Sequence, residues 1–190
     1  MVIPENFQQS PLHQREYLLN GQLRPWEGEV QEVQSPVWLE GSPFLLGSFP
    51  SMSAEHALAA VEAARAAWNQ GAGPWPTMRV AERIRCVEDF ATAMAEKREQ
   101  VARLVMWEVG KTWTDSLKEF DRTLEYIRAT IDAVKDLDRA SSRFLHEEGI
   151  LAQVRRAPLG PTLCMGPFNY PLNETYTTMI PALIMGNPVV

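Results

Sequence analysis

The sequence holds 190 residues, 45% hydrophobic and 22% charged, with a formal net charge of −6. These proportions describe a globular chain rather than a fibrous or disordered one, and an acidic balance without basic clusters argues against a nucleic-acid or anionic-membrane surface. Residues 1–20 hold no apolar run of signal-peptide length, and the longest apolar stretch, residues 179–185, contains Pro181 and is far too short to span a bilayer. The two cysteines, Cys86 and Cys164, lack a metal-type spacing or a paired framework, so a reducing, cytoplasmic setting without a metal site is expected.

Residues 1–50 read as strands and turns. Tyr17, Leu18 and Leu19 precede Asn20-Gly21, a dipeptide that readily takes positive φ in a hairpin turn. Residues 44–49 predict another strand, stopped by Pro50. Residues 53–139 read as helices. Ser53 is the expected N-cap of a helix with Ala54, Ala57, Leu58, Val61, Ala64 and Trp68 on one face, ending before Gly71. Thr77 is the expected cap of the next, where Ala81, Ile84, Val87, Ala91 and Met94 share a face. A break near Lys97 and Arg98 follows, after which Val101, Leu104 and Val105 resume the stripe until Gly110.

Periodicity is strongest between residues 112 and 139, where Leu117, Phe120, Leu124, Ile127, Ile131, Val134 and Leu137 recur at gaps of three and four. The run covers only about three heptads, the minimum for a coiled-coil seam, so a core-facing helix is the preferred reading. From 143 to 158 the period changes to two, with Glu148-Gly149 as the turn of a hairpin. Residues 162–165 predict a short buried strand, followed by Gly166-Pro167-Phe168-Asn169-Tyr170-Pro171 and a helix reaching Ile184. Gly186-Asn187-Pro188 ends that helix and Val189-Val190 opens another strand. Residues 160–190 therefore read as the start of a βαβ unit. Parallel strands of that kind need covering on both faces, so a longer parent protein is expected, with this piece poorly soluble or partly folded alone.

Proline disfavours the α region for the residue before it, which stiffens Gly166 and Tyr170 on either side of Asn169. Asn169 thus stands at the carboxyl end of a strand, where α/β sheets bind ligands. An asparagine amide held there can donate to a developing oxyanion, worth about 3–4 kcal/mol; composition alone favours an ordinary helix-entry or turn residue. Cys164 reads as a small hydrophobe rather than a nucleophile. His13, His56 and His146 have no partner at ligand or triad spacing, Gly71-Ala72-Gly73 is no dinucleotide fingerprint, and the tryptophans read as core and interface residues.

The run from Arg156 through the Gly166–Pro171 segment to Val190 resembles the aldehyde dehydrogenase superfamily. Upstream pieces agree in order and spacing: residues 17–21, residues 59–68, Ala81-Glu82-Arg83-Ile84-Arg85 and Glu108-Val109-Gly110-Lys111. Within the superfamily, Tyr170 and residues 118–127 resemble the NADP-dependent, non-phosphorylating glyceraldehyde-3-phosphate dehydrogenase branch. The resemblance implies the N-terminal part of an α/β, Rossmann-like cofactor-binding domain, rich in helix, with a protruding hairpin at 143–158 that helps build homo-oligomers and with its sheet incomplete. It implies oxidation of an aldehyde through a cysteine thiohemiacetal, with hydride passed to NADP or NAD. Asn169 matches the oxyanion donor, Tyr170 and Arg122 match substrate contacts, and Gly166 falls where backbone approaches the nicotinamide. The helical wheel alone places Arg122 opposite the apolar stripe as a solvated charge, although a substrate phosphate also requires such a cation.

The family's nucleophilic cysteine and general-base glutamate have no counterpart in these residues, so the chain alone is expected to be inactive. Pro161 and Pro188 depart from the family pattern and put local strand pairing in doubt. A different class of function is an interaction module that docks its helical stripe or hairpin onto a full-length subunit.

Overall fold

The computed structural model describes residues 3–190, with only the backbone of Asn6. Three hairpins follow one local rule. Asn20-Gly21, Glu40-Gly41 and Glu148-Gly149 each place two consecutive residues at positive φ, the requirement of the tight turn whose twist matches its flanking strands. They join β2 (Glu16–Leu19) to β3 (Gln22–Pro25), β4 (Val30–Leu39) to β5 (Ser42–Pro50), and β6 (Leu145–Glu147) to β7 (Ile150–Ala152). A two-residue β1 (Leu12–His13) runs parallel to β5, giving the order β1-β5-β4. Both β6 and β7 are exposed along their length, so this hairpin projects from the body.

The helices are α1 (Ala54–Trp68), the single turn α2 (Pro74–Thr77), α3 (Val80–Ala95), α4 (Arg98–Val109), α5 (Trp113–Ser141) and α6 (Asn173–Ile184). At the start of α1 the Ser53 amide donates to His56 Nδ1 at 3.3 Å. Thr77 does not cap α3. Its hydroxyl donates to the Gly73 carbonyl at 2.6 Å inside a turn opened by Pro74, and the Glu82 carboxylate instead accepts from the Arg79 amide at 3.3 Å. Gly110, at φ 74°, closes α4 in the left-handed conformation and lets Thr112 begin α5 within two residues. The Thr112 hydroxyl accepts from the Asp115 amide at 3.1 Å.

The expected stripe of α5 is the centre of the core. Phe120 and Ile127 are fully buried, and Leu124, Ile131 and Val134 nearly so, against Ile84, Val87, Ala91 and Met94 of α3 and Ile180 and Ile184 of α6. Leu137, near the end of the stripe, is exposed. α1 departs further from expectation. Ala64 is buried, but Leu58 and Val61 are 64% and 41% exposed, because α1 packs mainly on the turns that follow it and, through His56, on Tyr17 and Trp26, while the three-helix core lies elsewhere. The N-terminal sheet attaches through α4: the Ser35 hydroxyl donates to the Trp107 carbonyl, and Phe44 stacks on the Trp107 ring at 4.7 Å.

The strand expected at 162–165 is a single parallel bridge, Thr162 to Val189. Thr162 N–H donates to the Pro188 carbonyl, Val190 N–H to the Thr162 carbonyl and Cys164 N–H to the Val190 carbonyl, each at 2.9 Å. Pro188 joins the ladder through its carbonyl, so its missing N–H costs nothing here. The segment is not buried. Thr162 and Cys164 are half-buried while Leu163 and Met165 are 65% and 73% exposed, since only one strand flanks it and the protein covers only one face. The fold is thus α/β and helix-rich, with small sheets, a projecting hairpin and a βαβ connection through α6. No helix among the described residues is long and apolar enough to cross a membrane.

Burial ranks the stripes. Ile127→Ala should cost about 2–5 kcal/mol by denaturant unfolding, the cost of a core cavity, whereas Leu58→Ala should change stability by no more than about 0.5 kcal/mol.

Candidate active site

The turn at residues 168–170 leads into α6, and α5 holds both. Glu119 lies two turns into α5, beside Phe120 on the core side, with its side chain only 1% exposed. A carboxylate so placed must be met by donors. Lys111 Nζ, from the short link between α4 and α5, reaches Glu119 Oε2 at 2.5 Å. The amides of Leu172 and Asn173, among the first N–H groups of α6, donate to Glu119 Oε1 at 3.2 and 3.3 Å. Those groups lack helical partners and carry the positive end of the helix dipole, which suits a carboxylate. Thr123 Oγ1, one turn further along α5, lies 3.3 Å from Asn173 Oδ1.

The same lysine touches the turn. Lys111 Nζ sits 3.7 Å from the centroid of the Tyr170 ring, a cation–π contact with the ammonium largely withdrawn from water. Asn169, immediately before it, is exposed, and its amide makes no hydrogen bond to any described residue. The group is therefore free to address a ligand.

Gly166 is held by close approach. A Cβ there would stand 2.2 Å from Thr175 Oγ1 and 3.1 Å from the Thr175 nitrogen, and Thr175 Oγ1 is itself committed to the Pro171 carbonyl at 2.6 Å. The loop lies down on the first turn of α6 with its outer face bare. Arg122 is exposed on α5, three residues beyond Glu119 and thus on nearly the same side of the helix. It forms no ion pair among the described residues. The structure brings Tyr170 to α5 through Lys111, while no hydrogen bond or cation–π contact joins Arg122 to Asn169 or Tyr170.

The far end of α6 is equally fastened. Arg83 Nε donates to the Ile184 carbonyl at 2.9 Å, Trp75 Nε1 to the Leu183 carbonyl at 3.0 Å, and Asn187 Oδ1 accepts from the Leu159 and Gly160 amides at 2.6 and 3.0 Å. Burial pulls the Arg83 guanidinium below its ordinary value and pushes the Tyr176 phenol on α6 above its own. Lys111, Glu119, Asn173 and Asn187 were not singled out as site residues by pattern. Lys111 lies in the family-like stretch 108–111 and Glu119 in 118–127, but Asp121 and Glu125 flank the apolar stripe just as closely, so nothing local marks Glu119 as the buried carboxylate. Cys86 and Cys164 are both free, the first exposed and the second half-buried.

A polar turn at the carboxyl end of a parallel strand, opening a helix that returns to pair the next strand, defines an α/β ligand-binding unit. Comparison with known proteins gives that unit its family. The chain belongs to the aldehyde dehydrogenase family, whose sequence profile matches residues 27–190. It is 32% identical over 132 residues to N-succinylglutamate 5-semialdehyde dehydrogenase 1 of Caulobacter vibrioides, covering 70% of this chain and 27% of that protein. It is 28% identical to the NADP-dependent glyceraldehyde-3-phosphate dehydrogenase of Streptococcus equinus, covering 86% of this chain and 34% of that protein. Among solved structures, NADP-dependent glyceraldehyde-3-phosphate dehydrogenase from Bacillus halodurans, complexed with NADP, superimposes with a TM-score of 0.78 at 30% identity, covering 94% of this chain and 37% of that one. The chain spans 27% to 34% of the length of these two curated relatives.

The clash at Gly166 predicts that Gly166→Ala destabilises the chain by about 1–3 kcal/mol, as overpacking does. Adding Thr175→Ala should recover part of the loss in thermal unfolding; no recovery would mean that Thr175 is not what requires the glycine.

Proposed function

We propose that this chain supplies the oxyanion-donating and substrate-positioning part of a nicotinamide-dependent aldehyde dehydrogenase that oxidises glyceraldehyde 3-phosphate to the carboxylic acid. The observation that carries this reading is the exposed, unengaged Asn169 amide, presented on a turn held by α5 and α6, in a chain of the aldehyde dehydrogenase family. Asn169 donates to the aldehyde oxygen as negative charge builds on it, an interaction worth about 3–4 kcal/mol when the donor is held in advance. Tyr170 lines the approach, and Arg122 meets the phosphate at the wet end of the site, where a guanidinium can bind bidentately.

The outer backbone face around Gly166 is bare while the glycine is drawn down onto Thr175, and that surface would take the nicotinamide. When bound, the cofactor supplies the hydride acceptor. NADP is the favoured form, in keeping with the NADP-dependent relatives from Streptococcus equinus and Bacillus halodurans. The two free cysteines support a reducing, cytoplasmic setting.

Neither cysteine supplies covalent catalysis: no hydrogen bond joins Cys86 or Cys164 to a basic side chain among the described residues. The 190-residue chain mixed with NADP and glyceraldehyde 3-phosphate is expected to show no cofactor reduction, and measurable turnover would overturn that assignment. The role of Asn169 is tested by exchanging residues 27–190 for the matching segment of the Bacillus halodurans enzyme. In a chimera that unfolds cooperatively, Asn169→Ala should lower kcat about 10²–10³-fold, and an unchanged kcat would remove Asn169 from the reaction.

A second reading rests on the projecting hairpin, whose Leu145, Ile150 and Leu151 are 55–67% exposed. On this reading the chain docks through the hairpin onto a full-length subunit, building an oligomer. Co-purification with an intact subunit supports it; a strictly monomeric chain by light scattering counts against it.

A further inference from the structure

We infer that Lys111 and Glu119 are positioning residues: the buried pair sets the orientation of the 168–170 turn and, through it, the direction in which the Asn169 amide points. The inference rests on the proposed role of Asn169 and adds the residues that hold it.

The Asn169 side chain makes no hydrogen bond to any described residue, so the direction in which it leaves the backbone is inherited from its neighbours in the chain. On its upstream side Pro167 restricts Gly166. On its downstream side Tyr170 is covered by the Lys111 ammonium at 3.7 Å, and Leu172 and Asn173 are tied to Glu119 Oε1 at 3.2 and 3.3 Å. Both attachments meet in one object, because Lys111 and Glu119 are joined at 2.5 Å with side chains 17% and 1% exposed. The ammonium can keep its place over the Tyr170 ring only while the carboxylate holds it, and the carboxylate is itself fixed by the opening amides of α6.

A pair serving only to fasten α6 to α5 would need the carboxylate and the helix amides. It would not need the cation to lie against the residue that follows Asn169. Burial makes the arrangement all-or-none, since removing either charge leaves the other desolvated and alone. Arginine can replace lysine over an aromatic face, because its guanidinium also stacks and remains charged.

The test uses the full chain with labelled asparagine and tyrosine, read by NMR without any turnover step. Lys111→Met should move the Tyr170 ring resonances and the Asn169 backbone amide resonance, and Lys111→Arg should restore both. Tyr170→Leu leaves the ion pair intact and should displace the Asn169 resonances while leaving amide exchange at Leu172 and Asn173 unchanged. That variant decides the matter should Lys111→Met fail to fold. Unmoved Asn169 resonances in a folded Lys111→Met or in Tyr170→Leu overturn the inference and leave the pair a structural fastening. Because no activity is measured, this failure is distinct from failure of Asn169 in catalysis, which the chimera reports.

Discussion

Glu119 imposes the constraint from which the site follows. Withdrawing a carboxylate from water costs several kcal/mol even after the protein relaxes, and only well-aimed donors offset that cost. Three donors converge on it from different parts of the chain: the Lys111 ammonium before α5, and the Leu172 and Asn173 amides at the start of α6. Each would be unsatisfied or misplaced without the carboxylate. The α4–α5 link, the middle of α5 and the entry to α6 are therefore brought together by a polar requirement in addition to apolar packing. The turn carrying Asn169 leads into that junction, and its geometry depends on it.

Around this junction the fold divides its work. The core of α3, α5 and α6 is apolar and continuous, built from Phe120, Ile127, Ile180 and Ile184, and gives α6 a rigid bed. Polar anchors then define where α6 begins and ends: Glu119 at its first amides, Arg83 and Trp75 at its last carbonyls, and Asn187 just beyond. Hydrophobic burial is non-directional and could tolerate a sliding helix. Hydrogen bonds at both ends remove that freedom, which matters where a single amide must point in one direction. The external ion pairs within one helix, such as Arg65 with Glu62 and Arg139 with Asp136, are largely exposed and contribute little beyond local register.

Much of the architecture was legible because it depends on local rules. Asn20-Gly21 and Glu148-Gly149 turn as expected, Gly110 closes α4, and the stripe of α5 faces the core up to Val134. Errors fall where a local pattern met a tertiary fact. Thr77 has the chemistry of a cap, but neighbouring prolines turned the chain so that its hydroxyl serves Gly73. Leu58 and Val61 have the spacing of a buried face, but α1 lies against little of the protein, leaving both exposed. Leu163 and Met165 read as strand interior, yet one flanking strand covers neither. The hairpin of Glu40 and Gly41 went unread because Pro36 interrupts the strand before it, whereas residues 143–158 keep a period of two on both sides of Glu148-Gly149.

By itself the sequence determined what operates over a few residues: the turns that require positive φ, the helical period of α5, and the proline frame around Asn169. It also carried the family, because a long ordered set of motifs survives without any knowledge of contacts. Tertiary structure alone decided that Glu119, rather than any other carboxylate of α5, becomes buried, and that Lys111 and the opening amides of α6 meet it. Those partners lie 8 and more than 50 positions away in sequence. A charge signals nothing about its surroundings until packing removes its water, so the network that holds Asn169 exists only in the folded chain.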